Sequence, residues 1–181
     1  MSYLRSLKPD AGLLQIFQAF SKAAGPLLEY HEVLLRGESP FSAAERELIA
    51  AYVSALNDCN YCRAVHSQTA VTLGIRADVL SKLSLNPQHE DVDVKMRPVL
   101  AFARKLTLSP GQIRRADVDE VFAVGWDDRA LHDAVAICGL FNLMNRLVNG
   151  LGVEASDAYM KMAAQRLAQN GYSRLQDFFL N

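Results

Sequence analysis

The stretch SAAERELIAAYVSALNDCNYCRAVH, residues 42–66, decides how the chain folds. Ser42 opens S-A-A-E, a pattern in which the Ser42 hydroxyl and the Glu45 carboxylate each satisfy the other's free backbone N–H at a helix start. Helical spacing continues to about Asn57. Asn57 or Asp58 is then expected to cap a further helix that runs to about Gly74.

The same period extends in both directions. Upstream, Leu13, Ile16, Phe17 and Phe20 follow Asp10, a candidate N-cap, and Pro26 is expected to open a second helix ending near Gly37. Downstream, Val99, Leu100, Ala103 and Leu106 mark a helix stopped by Ser109-Pro110-Gly111. Another covers about Asp117 to Val124. Asp127 caps a long one to Leu151, and Ser156 caps the last, ending near Gly171. Trp126, just before that Asp127 cap, is expected to pack as a hydrophobic staple. Only Asp91 to Lys95 looks faintly extended, and no run has the alternation of a sheet. The fold class is all-α, a bundle of about eight helices.

The main loop, Ser84 to Asp93, divides the chain into halves of about 1–84 and about 94–181 within one domain. A shift of eighty-three positions pairs Cys59, Cys62 and His66 with Asn142, Asn145 and Asn149, and finds identities at Leu48, Ala51, Arg63 and Val65. Chance or a degenerate internal duplication accounts for this echo.

Composition excludes several classes. The net charge is -1 with both signs interspersed, so there is no electrostatic footprint for nucleic acid. No apolar run is long enough for a signal peptide or a membrane span, and three cysteines do not make a secreted disulfide framework. The expected location is the cytoplasm.

The chemistry lies in Glu47-x11-Cys59-x-x-Cys62-x3-His66. Cys59, Cys62 and His66 share one helical face, with Cys62 and His66 about 6 Å apart along the axis and Cys59 and His66 about 10 Å apart. Cys59 at a helix start gains from the free N–H groups there, which favour a thiolate. His66 supplies a base near Cys62. Glu47 lies on the preceding helix in a stripe with Ala51, Ser54 and Ala55, small residues that allow close approach. Cys-x-x-Cys alone also suits zinc or haem. Covalent haem attachment needs a His directly after the second Cys, where Arg63 stands, and structural zinc wants a fourth ligand. Two buried, inert thiols are the bland alternative.

These four residues at this spacing resemble the active-site signature of AhpD-like proteins in the carboxymuconolactone decarboxylase superfamily. The stretch LFNLMNRLVNGLG, residues 140–152, resembles its peroxidase-related subgroup. The resemblance implies a helical homo-oligomer that reduces hydroperoxides through Cys59 and Cys62, with His66 and Glu47 as a proton relay. It implies a hydroperoxide substrate, an external dithiol reductant such as a lipoyl carrier, and no cofactor, metal, nucleic acid or membrane. One departure is Tyr61, where AhpD has a histidine. The alternatives are a carboxymuconolactone-type decarboxylase, which needs no redox thiols, and a non-enzymatic redox sensor or adaptor. Apolar residues of the first two helices (Leu13, Leu14, Ile16, Phe17, Phe20, Leu27, Leu28, Leu34 and Leu35) also suggest an oligomer interface. Cys138 and His31 are expected in the core. Tyr61, Asn142, Asn145 and Arg146 either line the pocket or bond helices together.

Overall fold

The computed structural model describes residues 2–85, 88–172 and 175. Among these there are nine α-helices, one short 3₁₀ turn at Pro110–Gln112 and no strand. The helices are α1 Leu13–Ala19, α2 Ser21–Arg36, α3 Ala43–Leu56, α4 Asn60–Thr72, α5 Ala77–Leu85, α6 Met96–Leu108, α7 Arg115–Ala123, α8 Asp128–Gly150 and α9 Asp157–Asn170. No helix among the described residues is long and apolar enough to cross a membrane.

The all-α class holds, and several expected caps are present. Ser42 accepts from the Glu45 N–H at 3.2 Å while Glu45 Oε2 accepts from the Ser42 N–H at 2.7 Å. Asp127 accepts from the Ala130 N–H, and Ser156 from the Tyr159 N–H. Other boundaries moved. The first N-cap is Gly12, not Asp10, and α4 is capped by Cys59, not Asn57 or Asp58. Pro26 lies inside α2 instead of opening it. Its ring fits because the carbonyl it leaves unpaired belongs to the first turn. Helix α5 was not expected; it raises the count from about eight to nine, and it shortens the loop expected from Ser84, whose residues 86 and 87 lie outside the described ones. Residues 91–95 form turns.

Helix α3 is central. Every residue from Arg46 to Ser54 is buried, and it packs on α4, α6 and α8 around Leu35, Phe41, Ile49, Leu100 and Phe141. Such a helix, apolar nearly all round, belongs in the middle of a bundle. Its one cation, Arg46, donates to the carbonyls of Leu34 and Gly37 and so satisfies the end of α2. Ile16, Leu28, Leu34 and Leu35 are buried within the chain, whereas Phe20, Tyr30 and Val33 stay exposed. Trp126 packs on Phe41 with ring centroids 4.5 Å apart and donates to the Lys95 carbonyl. The segments paired by the shift of eighty-three differ locally. Residues 48–66 are two helices, and residues 131–149 lie in one continuous helix.

The break between α3 and α4 places the first thiol. The Asp58 N–H bonds the Ala55 carbonyl and the Cys59 N–H bonds the Ser54 carbonyl, the paired bonds of a Schellman turn. Asp58 takes the left-handed position with φ 50°, a conformation that a small polar residue tolerates. Cys59 therefore ends one helix and starts the next. Asp58→Val should lower the unfolding free energy by about 2 kcal/mol, because a β-branched residue resists this conformation, whereas Asp58→Gly should leave it equal or higher. Urea unfolding of the two variants checks this.

Candidate active site

Three donors converge on one buried carboxylate. Glu47, on α3, is wholly inaccessible. Its Oε1 accepts from Arg36 Nη2 at 2.7 Å and from the Tyr172 hydroxyl at 2.8 Å, and its Oε2 accepts from His66 Nδ1 at 2.7 Å. Burial pushes the Glu47 carboxyl up, but the His66 imidazole and the Arg36 guanidinium outweigh it and hold the carboxyl below its ordinary value. An ionised carboxylate only accepts, so Nδ1 of His66 carries the hydrogen and Nε2 is left to exchange a proton. The expected Glu47–His66 pairing is present.

Cys59 and Cys62 stand at the start of α4, both buried and both free thiols. The Cys62 thiol hydrogen-bonds Cys59 and, despite burial, draws it down to about 7, assisted by the Cys62 backbone N–H and the Asn145 side chain. Cys62 moves the opposite way, pushed up by that same bond to Cys59 and by burial. The two directions make Cys59 the more acidic thiol of the pair. Leu4, Leu7, Leu13 and Ile16 from the N-terminal segment, with Val148 and Val153, cover the pair.

Beside the thiols lies a mainly apolar cavity of about 100 Å³, with His66, His31, Tyr61, Phe17 and Tyr172 in its wall. Tyr61 and Leu13 belong both to this wall and to the cluster around the thiols, so they stand between the two. Asn142, Asn145 and Arg146 do not line it; Asn142 and Asn145 tie α8 to Asn57 at the end of α3, and Arg146 bonds Asn142 within α8. His31 is a core residue that donates from Nδ1 to the Leu27 carbonyl and packs edge-on against Phe141. Cys138 is buried beside Thr107 at 3.2 Å. His89 and His132 each meet a neighbouring aspartate, Asp91 and Asp133. Among the described residues, no group of three His, Cys, Asp or Glu side chains could hold a metal ion.

Sequence reasoning missed Arg36 and Tyr172. Residue 172 sits on a glycine turn, Gly171 at φ 67°, where its N–H bonds the Glu32 carboxylate and its ring reaches the site. Arg36 Nη2 also donates to the Leu167 carbonyl, and the guanidinium lies over the Tyr172 ring at 5.1 Å. No helical spacing links these positions to Glu47, so only three-dimensional structure finds them.

Two expectations follow. Tyr172→Phe should keep the fold and lower stability by about 1–2 kcal/mol through loss of one bond to a charged acceptor. Thermal melting beside the parent checks it. Burial lowers the His31 imidazole to about 4. The unfolded chain therefore binds a proton that the folded chain refuses. This stabilisation is complete above about pH 6.5 and is lost as the pH falls toward 4, amounting to about 3 kcal/mol. The loss of unfolding free energy between pH 7.5 and 4.5 should be smaller by about 2–3 kcal/mol in His31→Phe.

Comparisons with known proteins follow this geometry. Residues 22–85, which include Glu47, Cys59, Cys62 and His66, match the model of the carboxymuconolactone decarboxylase family. No curated protein matches the chain. A peroxidase-related protein from Silicibacter sp. TM1040 has 24% identity and a TM-score of 0.74, with 88% of this chain and 94% of that one covered. The alkylhydroperoxidase AhpD core of a peroxidase-related protein from Ralstonia eutropha JMP134 has 25% identity and a TM-score of 0.75, covering 82% and 78%. The debrominase Bmp8, a cysteine-to-alanine variant in complex with 2,3,4-tribromopyrrole, shares the fold at 15% identity and a TM-score of 0.71, covering 86% and 81%. Residues 22–85 are thus similar to the carboxymuconolactone decarboxylase family, and the chain as a whole has the AhpD-like helical fold.

Proposed function

We propose that the protein is a thiol-dependent hydroperoxide reductase. The observation that carries this reading is the pair of free, buried thiols at the start of α4, one helical turn from an imidazole fixed by a buried carboxylate, with Cys59 drawn down as its thiol partner donates to it. A low-pKa thiolate beside a resolving thiol is the arrangement peroxide chemistry uses.

The Cys59 thiolate attacks one oxygen of the hydroperoxide and the O–O bond breaks. Cys59 becomes a sulfenic acid, and the departing alkoxide takes a proton and leaves as an alcohol. His66, held by Glu47, takes on its Nε2 the proton that the Cys59 thiol gives up and returns it to that alkoxide. The Cys62 thiol then condenses with the sulfenic acid, releasing water and forming the Cys59–Cys62 disulfide. An external dithiol, such as a lipoyl carrier, returns both thiols and is itself oxidised to a disulfide. The apolar cavity suits a peroxide with a hydrocarbon body.

The ring-rich wall of that cavity favours one second reading. The same dithiol supplies the two electrons that reductive dehalogenation of an aromatic halide needs, giving the arene, halide, a proton and the disulfide. The neighbouring debrominase with its bromopyrrole has this fold.

Peroxide consumption with an excess dithiol decides between these. The wild type should turn over many equivalents of an organic hydroperoxide. Cys62→Ser should stop after one equivalent and leave a trappable sulfenic acid on Cys59, and Cys59→Ser should be slower by about a hundredfold, the scale of lost thiolate attack. Unchanged turnover in both variants overturns the mechanism. Halide release from a bromoarene without peroxide turnover favours the second reading.

A further inference from the structure

Two imidazoles line the cavity beside the thiols, and the peroxide chemistry above uses only His66. His31 shares its neighbours. Phe141 packs edge-on against both rings, with centroids 4.5 Å from His66 and 6.0 Å from His31. The Tyr172 ring lies 5.3 Å from the His31 ring, and its hydroxyl lies 3.4 Å from His66 Nδ1. Each histidine commits its Nδ1 to the protein at 2.7 Å, His66 to the Glu47 carboxylate and His31 to the Leu27 carbonyl.

The partner of Nδ1 decides what Nε2 can do. A carbonyl only accepts, so Nδ1 of His31 carries the hydrogen and Nε2 of the neutral ring is a bare lone pair. Burial keeps the ring neutral: it is 3% exposed, and its loss of water lowers it to about 4. Leu27 lies one turn back on α2, so Nδ1 faces that helix and Nε2 points away from it. Among the described residues no hydrogen bond engages this Nε2, and the only wholly enclosed side-chain nitrogen or oxygen without a partner is Arg36 Nε. Nε2 of His31 is therefore not sealed in, and the open space beside its ring is the cavity. An acceptor left without a donor in an apolar wall is unfavourable, and a ligand that brings its own O–H removes that cost.

We propose that the cavity binds its substrate through this atom: Nε2 of His31 accepts the O–H of a small, uncharged hydroperoxide whose hydrocarbon part fills the apolar remainder. This deepens the reductase reading and rests on it for the identity of the ligand. His31 is a binding group here. The hydroperoxide keeps its proton in the complex, and no bond forms or breaks. His66, backed by a carboxylate, remains the imidazole that exchanges protons; His31, backed by a carbonyl and apolar side chains, only accepts. Apolar cavities of about 150 Å³ hold benzene, so one of about 100 Å³ suits a branched alkyl group of tert-butyl size. Of the other polar groups in the wall, the Tyr172 hydroxyl is given to Glu47 and Arg166 can only donate. The hydroxyls of Tyr61 and Tyr159 are the remaining acceptors, and substitution of His31 separates its share from theirs.

The test measures binding without turnover. In the full chain carrying Cys59→Ser and Cys62→Ser, the thiol pair can reduce nothing. tert-Butyl hydroperoxide and tert-butyl methyl ether are titrated into this parent and followed by amide NMR shifts, those of Tyr61 and His66 reporting on the cavity. The two ligands have nearly the same shape, and only the first has an O–H. The parent should bind the hydroperoxide about five- to tenfold more tightly than the ether, the scale of one net hydrogen bond. His31→Phe keeps a ring and removes the acceptor; it should bind the two ligands within about twofold of each other and the ether as well as the parent does. His31→Gln places an amide oxygen within reach of the Nε2 position and should recover part of the preference. Circular dichroism melting identifies which variants fold, and His31→Leu replaces the Phe variant if that one does not. A parent that binds both ligands alike overturns the proposal without any variant. So does a preference that persists in folded His31→Phe or His31→Leu, and so does an equal weakening of both ligands there, which assigns His31 to packing. If the preference depends on His31 while the wild type consumes no hydroperoxide, the reductase reading fails and a site for an O–H-bearing ligand stands. If the wild type turns over and the parent shows no preference, this inference fails alone.

Discussion

A carboxylate with no exposure to water is the constraint around which the molecule is arranged. An ion of this size removed from water costs several kcal/mol unless charged and polar partners replace the lost hydration. Glu47 has three such partners, and they come from α2, α4 and the turn after α9. The position of each element relative to α3 is therefore fixed by the need to neutralise one charge. Hydrophobic packing brings these helices together without specifying their register to within a hydrogen bond. The Glu47 cluster does specify it, and the cost is a core that loses stability with the loss of any partner.

The two thiols differ although they are one helical turn apart, chiefly because the Cys62 thiol donates to Cys59, and the backbone assists. Cys59 occupies the junction of two helices, where the N–H groups of the first turn of α4 have no carbonyl partner within the helix. Cys62 lies inside that helix with its own N–H directed back toward Cys59. A single left-handed residue, Asp58, makes the junction tight enough for this. In α8 the chain runs straight through the corresponding stretch, and the positions there carry amides.

Much of the site was legible because its core members are local in sequence. Cys59, Cys62 and His66 lie on one helix, whose rise and pitch fix their separation. Glu47 lies one tight turn upstream, and the small residues Ala51 and Ser54 announce the close approach of α3 to α4. Arg36 and Tyr172 were not legible, since their distance along the chain from Glu47, 11 and 125 residues, corresponds to no repeat. In the fold, the strong caps Ser42, Asp127 and Ser156 were legible because each offers a side-chain acceptor at the right offset. Helix α5 was missed because it makes only about two turns and has little room for a period to show. Pro26 misled for a different reason. Its preference for helix starts is real, but the apolar positions Ala24, Leu28 and Leu35 buried around it belong to one uninterrupted face.

The docking of Tyr172 has a practical side. The residue that completes the hydrogen bonding of Glu47 sits on a turn after α9, anchored by one glycine and one carboxylate from α2. The integrity of the central charge cluster is thus tied to a turn well outside residues 22–85. A cut in that turn, before Tyr172, removes a core hydroxyl. Preparations nicked there by a protease are therefore not interchangeable with the uncut chain when their thermal behaviour or their kinetics are compared.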